Sequence, residues 1–206
     1  MKLISITIIF LMILGYSKAN CQSIIKGFNT LSCSEKQWVI CHLFVAKRAF
    51  RITKEVKAST NKILLDSLLD QFPAGGKVDA FRHLYWMARL TIGIGEKKAR
   101  SLGKAHEKGN YYSFLKSKVE DGVIPDSISG IMDLNNNEVG IRIGNSASDK
   151  ENQFIQREVI NTINRGEAVI LKRNKAGQLI TCDNEIVVYK IKWSLPYCLV
   201  KSNDVP

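Results

Sequence analysis

Apart from a stretch close to its start, this 206-residue chain has no apolar run approaching the roughly 20 residues needed to span a bilayer. Histidine is scarce, with only His42, His83 and His106. There is no G-x-S-x-G nucleophile elbow and no phosphate-binding P-loop. The H-E-x-x-H helix of zinc proteases is also missing, because Gly109 and Asn110 follow His106-Glu107 where that pattern needs a second histidine. Gly93-Ile94-Gly95 follows a predicted helix rather than a strand, which excludes a dinucleotide loop. Internal repeats, low-complexity tracts and a convincing domain linker are absent too. These gaps set aside several common enzyme classes and leave a chain whose chemistry must come from scattered polar side chains.

The exception near the start reads as an export signal. Lys2 supplies a positive first segment, Leu3 to Gly15 is almost uniformly apolar, and Ser17-Lys18-Ala19 offers small residues for cleavage before Asn20. Residues 1–19 are therefore expected to be a signal peptide, and the mature chain secreted or periplasmic. Lipidation at Cys21 is the minor alternative, because Asn20 stands where a lipoprotein carries a small residue. The cysteines, at 21, 33, 41, 182 and 198, are odd in number. In an oxidising compartment Cys33–Cys41 and Cys182–Cys198 are the plausible local pairs.

The formal net charge is +11. An exported basic protein is drawn to anionic surfaces such as phospholipid head groups or acidic envelope polymers. The charges are dispersed, densest at Lys97-Lys98-Ala99-Arg100 and Lys47-Arg48, and are not interleaved with aromatics. That pattern argues against a specific nucleic-acid partner.

The hydrophobic pattern is mostly helical. Ser34-Glu35-Lys36-Gln37 fits a capping box, and Trp38, Val39, His42, Leu43, Ala46 and Phe50 then share one helical face. A second helix is expected from about Glu55 to Leu69, ended by Phe72-Pro73-Ala74-Gly75-Gly76. Two further helices are expected over Lys77–Ile92 and Glu96–Lys108, the latter stopping at Gly109-Asn110. Helical patterning returns at Ser127–Ile143 and Lys150–Ile163. After Gly166 the period changes: Ala168–Leu171 and Leu179–Thr181 flank the turn Asn174-Lys175-Ala176-Gly177, and Ile186–Ile191 reads as a third strand. The expected fold is mainly α, a helical domain with a small C-terminal β-hairpin or three-stranded appendage. Its divisions are a signal peptide at 1–19, a helical domain at 20–166 with a motif core at about 75–144, and the appendage at 167–206.

Two of the three histidines lie in polar segments. Asp79 and His83 are four residues apart, so they share a helical face that Trp86 and Leu90 continue. A carboxylate one turn before an imidazole can fix its tautomer and raise its basicity. Arg82 beside them suits a bidentate grip on an anion. A satisfied core histidine with a salt-bridged arginine is the plain alternative. At the next helix end, His106 and Asn110 share a face, and Glu107 suits general acid–base work if burial raises its pKa. His83 and His106 could instead ligate a divalent metal, with Asp133 or Asp79 as the oxygen donor. Asp133, Asn135 and Asn137 alternate like calcium-loop donors, but Glu138 and Gly144 occupy the positions that need Gly and Glu. A helix cap or polar groups projecting into a shared site fits that run better. Cys41-His42 diverge by about 100° on a helix and read as structural.

Asp79–Trp86 (DAFRHLYW), Ala105–Asn110 (AHEKGN) and Met132–Gly140 (MDLNNNEVG) together resemble a bacterial domain family of unknown function with DAFRHxYW, AHExGN and MDLxNNxVG motifs. The resemblance runs over about residues 75–144 and implies exported or toxin-like proteins; it implies no particular activity. The expected function is a secreted hydrolase acting on anionic envelope material, phospholipid or peptidoglycan. His83, His106 and Glu107 would be the central groups and Asp79 would orient His83. Arg82, Trp86, Asn110 and Asn136 would contact substrate, with Asp133 completing the shell. The alternative is a non-enzymatic binding module whose motif residues form a buried hydrogen-bond network.

Overall fold

The computed structural model describes residues 26–117, 124–147, 149–188 and 192–204. The predicted signal peptide, Cys21 and the end of the expected third strand lie outside them. Residues 26–30 are helical, and the elements that follow are α1 (Cys33–Cys41), α2 (Leu43–Leu65), α3 (Lys77–Ile94), α4 (Glu96–Leu115), α5 (Ser127–Ser146), α6 (Asn152–Asn164), β1 (Val169–Leu171) and β2 (Leu199–Lys201). The protein is mainly helical with a small antiparallel β-hairpin at its C-terminal end. None of these helices is long and apolar enough to cross a membrane.

The central element is α3. Phe81, Leu84, Met87 and Leu90 are completely buried, and α2, α4, α5 and α6 all pack around this helix. Burying a large apolar side chain contributes about 1.5–3 kcal/mol, so α3 is the main source of core stability. Its N-terminus carries no side-chain cap of its own at Gly76; Asp70 reaches in instead, accepting from the backbone N–H groups of Lys77 and Val78 at 2.6 and 3.3 Å. A carboxylate at that end also suits the helix dipole. The closest packing is between α3 and α5. Gly140 lies against the Leu84 carbonyl and Gly144 against that of Ala88, so a Cβ at either position would strike main chain. That contact presses the polar faces of the two helices together.

Several helix boundaries differ from the pattern-based expectation. The capping box belongs to Ser32, whose hydroxyl accepts from Glu35 N while Glu35 Oε2 accepts from Ser32 N. The chain breaks at His42, where the imidazole turns back onto the Trp38 carbonyl at 2.8 Å and stacks on the indole. From Leu43 one helix then runs unbroken to Leu65, and Leu68 is exposed. Cys33 and Cys41 therefore sit at opposite ends of α1, free and exposed. Eight residues of helix separate them by about 12 Å, too far for the expected disulfide. Gly109-Asn110 does not stop α4, which continues to Leu115. Gly109 is instead a packing residue, because a Cβ there would meet the Ser32 side chain.

The appendage also pairs differently in detail. Val169–Leu171 is antiparallel to Leu199–Lys201, with Ile170 opposite Val200. The turn at Asn174–Gly177 is present, but its arms form one isolated bridge, Arg173 to Leu179, and a second bridge, Ile180 to Ile186, joins the segment that follows. Cys182–Cys198 is a disulfide and ties this loop to β2. Leu171 N donates to the Gly75 carbonyl at 2.8 Å, fastening β1 to the start of α3.

Candidate functional site

The N-terminal half of α3 and the middle of α5 face each other below a cleft of about 470 Å³. Asp79 and His83 come from α3 at the predicted i, i+4 spacing, and Asp133 comes from α5. All three are at least nine-tenths buried yet line the cleft. His83 Nε2 lies 3.3 Å from Asp133 Oδ1 and 3.6 Å from Asp79 Oδ1. One ligand-type atom from each of the three residues falls within 4.8 Å of the others, a spacing compatible with a shared metal ion.

The imidazole is set by Asn137, which the sequence pattern offers only as one of three alternating oxygen donors. Asn137 Oδ1 lies 3.1 Å from His83 Nδ1. With the amide presenting its oxygen, Nδ1 carries the proton and the Nε2 lone pair faces the two carboxylates. Among the described residues Nε2 has no hydrogen-bond partner. Burial, together with the positive charges of Arg82 and His106, holds the imidazole well below its usual pKa and outweighs the pull of the Asn137 bond. His83 is thus neutral near pH 7. A neutral imidazole whose far nitrogen is fixed by an amide is the state a metal-ligating histidine requires. Spacing sets Asn136 and Asn137, at i+3 and i+4, on the face of Asp133 without saying which of them meets His83.

Asp79 has other partners as well. Its Oδ2 accepts from Gly75 N and its Oδ1 from Arg82 Nη2, both at 2.6 Å. The predicted role of Asp79 in orienting His83 thus falls mainly to Asn137. Arg82, half-exposed, lines both the cleft and a second cavity of about 300 Å³ bounded by α2. His83 and His106 also line both, so these three residues form the partition between the two spaces.

His106 stands apart from the carboxylate pair. Its ring centre is 6.3 Å from that of His83, and its Nδ1 is 3.1 Å from Glu35 Oε1. Trp86 packs edge-on against it at 5.4 Å, and the indole N–H donates to Thr53 Oγ1. Burial works to raise the Glu35 pKa, but the hydrogen bond and charge of His106, with the Ser32 bonds, bring it below the ordinary value. Glu35 therefore does two jobs, capping α1 and holding His106. Its Ser-x-x-Glu spacing stands in the sequence beside the Ser34–Gln37 pattern expected to cap the helix, and its contact with α4 does not show there.

The remaining predicted site residues scatter. Asn110 lines the cleft and donates to Glu107 Oε2 at 3.1 Å. Glu107 faces Gly130 on α5 and is not part of the cleft wall. Asn136 is fully buried, and both ends of its amide bond to the Val169 backbone at 2.9 and 3.0 Å. It acts as an extra strand residue for β1, which leaves it no contact to offer a substrate. Asn135 lies on the exposed side of α5, so the Asp-Asn run is mid-helix and forms no calcium loop.

No curated protein and no solved structure matches the chain. A family model does match, over residues 36–167, and this span holds α2 to α6, the last two-thirds of α1 and every residue of the Asp79–His83–Asp133 cluster. The chain therefore belongs to the family described as Domain of unknown function (DUF6973).

Proposed function

We propose that this protein is an exported, metal-assisted hydrolase acting on anionic envelope material. The observation that carries this reading is the convergence of Asp79, His83 and Asp133 at the base of an open cleft. A His-carboxylate-carboxylate set suits a borderline divalent ion such as zinc or manganese, and three protein ligands leave a position for water, as catalytic sites do. Bound there, such an ion would supply a nucleophilic hydroxide near neutral pH. The protein's own part is to keep His83 neutral through burial and Asn137, and to hold Asp79 with Gly75 N and Arg82. Arg82 and His106 on the cleft wall favour a substrate with negative charge next to the bond cleaved. The basic chain and the Cys182–Cys198 disulfide are consistent with an oxidising, anionic surrounding.

The test is a cleavage screen. Metal-stripped protein is resupplied separately with zinc, manganese and magnesium, then incubated with phosphatidylglycerol vesicles or isolated peptidoglycan. Products are read by mass spectrometry. A metal-dependent product lost in Asp133→Asn supports the reading; no product with any ion, or an unaffected variant, rejects it.

A second reading rests on the same burial. Asn136, Asn137 and His83 lie almost wholly inside the protein, so the motif residues could serve as a packing network in a binding module. Under that reading Asp133→Asn lowers the melting temperature sharply and removes no activity.

A further inference from the structure

The C-terminal appendage places a second arginine on the cleft wall, outside the family-matched residues. Arg173 follows β1 and lines the 470 Å³ cleft together with Arg82, His83 and Tyr197. Its guanidinium lies over the Phe72 ring, 3.9 Å from the centroid. Nη1 donates to the Gly177 carbonyl at 2.8 Å and Nη2 to the Ala74 carbonyl at 2.9 Å. Nε is buried and makes no hydrogen bond. Among the described residues two of the five N–H donors are used, and both meet neutral acceptors.

A partly buried arginine usually pairs with a carboxylate, because leaving its charge without one is costly. Burial lowers the Arg173 pKa against the attraction of Asp70, Tyr197 and Asp79, of which Asp70 and Asp79 are carboxylates. Both are committed elsewhere, Asp70 to the N-terminus of α3 and Asp79 to Gly75 N and Arg82. The fork is also held rigidly. The Gly177 carbonyl that anchors it sits on a turn with φ +78, and a Cβ there would meet Phe72 at 2.9 Å, so the turn closes tightly over the ring. Positive charge, unspent donors and a fixed plane at a cleft wall are what bidentate oxyanion recognition needs.

We propose that Arg173 is an oxyanion-binding residue that, on the wall of the same cleft as Asp79, His83 and Asp133, holds a phosphate-class group of the substrate. This assignment deepens the hydrolase reading and rests on it for the word substrate; the anion site itself is independent of any metal. It also makes the appendage, which lies beyond the family match, the part of the chain that selects the ligand.

The test uses the full mature chain, stripped of metal with chelator, and inorganic phosphate as probe. Binding is measured by calorimetry, with acetate and chloride as comparators. Three variants are compared: Arg173→Gln, Arg173→Lys, and Gln178→Glu, which sets a carboxylate on an exposed position of the same wall. The expected result is saturable phosphate binding that acetate and chloride do not match. Arg173→Lys and Gln178→Glu should each weaken it at least tenfold, even if Arg173→Gln fails to fold. Vesicles containing phosphatidylglycerol then separate the sources: competition with free phosphate assigns a lipid head group, and its absence assigns a soluble phosphate. Unchanged phosphate affinity in folded Arg173→Lys and Gln178→Glu, or no binding by the unaltered chain, overturns the proposal. Phosphate binding without metal and without hydrolysis would uphold it while rejecting the enzyme reading.

Discussion

Asn137 and His83, 54 residues apart in sequence, are joined by a buried contact of 3.1 Å between Oδ1 and Nδ1. This contact aims Nε2 at Asp79 and Asp133. Asn137→Leu should leave a buried donor unpaired and cost about 1–3 kcal/mol in urea denaturation. It should also weaken metal binding about 10- to 100-fold, the usual effect of losing a group that orients a ligand. An unchanged metal affinity in a folded Asn137→Leu protein would mean that His83 is not oriented in this way.

Asn136 offers the contrasting case on the same helix. Asn136→Ala removes both bonds to Val169 and should destabilise by about 1–3 kcal/mol. Hydrogen exchange at Val169–Leu171 should accelerate while metal affinity stays within twofold. Equal loss of metal binding in both variants would show that the two amides act as one network and not as orienter and scaffold.

The pH response follows from the direction of the two shifts. The folded-state pKa of His83 lies below its unfolded value near 6.5, so as pH falls through that value the unfolded chain takes up a proton that the folded chain refuses. Stability should decline progressively below about pH 6.5. The Glu35 carboxylate, whose pKa is lowered from 4.5, contributes stability that is complete above that value and is lost at lower pH. His83→Gln should therefore flatten the stability profile between pH 6.5 and 5, whereas Glu35→Gln should lower stability above pH 4.5 and flatten the profile below it. A profile between pH 6.5 and 5 that is identical with and without His83 would contradict its buried, neutral state.

Gly140→Ala tests the packing that creates the site. The added methyl would strike the Leu84 carbonyl and push α5 away from α3, with a cost of about 1–3 kcal/mol or more. Because His83 and Asp133 sit on those two helices, metal affinity should fall as well. A fully stable Gly140→Ala protein would mean that the interface is looser than described.

Much of this architecture was legible because it is local. Helical periodicity predicted α3, with Asp79 and His83 on one face, and the shift in period after Gly166 marked the β-hairpin. What failed to show was long-range. Gly109-Asn110 looks like a helix stop until Ser32 is seen to pack on Gly109, and Ser32 with Glu35 reaches α4 only in three dimensions. Likewise Asn136 and Asn137 are equivalent as letters. Only the docking of β1 on one side and His83 on the other separates them. Arg173 gave no sequence signal, since a single arginine in a short turn resembles surface charge until Phe72 and two carbonyls enclose it.

The most direct test of the central claim is metal stoichiometry by mass spectrometry on the purified chain, alongside His83→Ala, Asp133→Asn and His106→Ala. The account predicts one divalent ion per chain, lost in His83→Ala and Asp133→Asn and kept in His106→Ala, whose imidazole is turned to Glu35. A chain that binds no ion after incubation with zinc or manganese would contradict it, as would an ion that depends on His106 and not on Asp133.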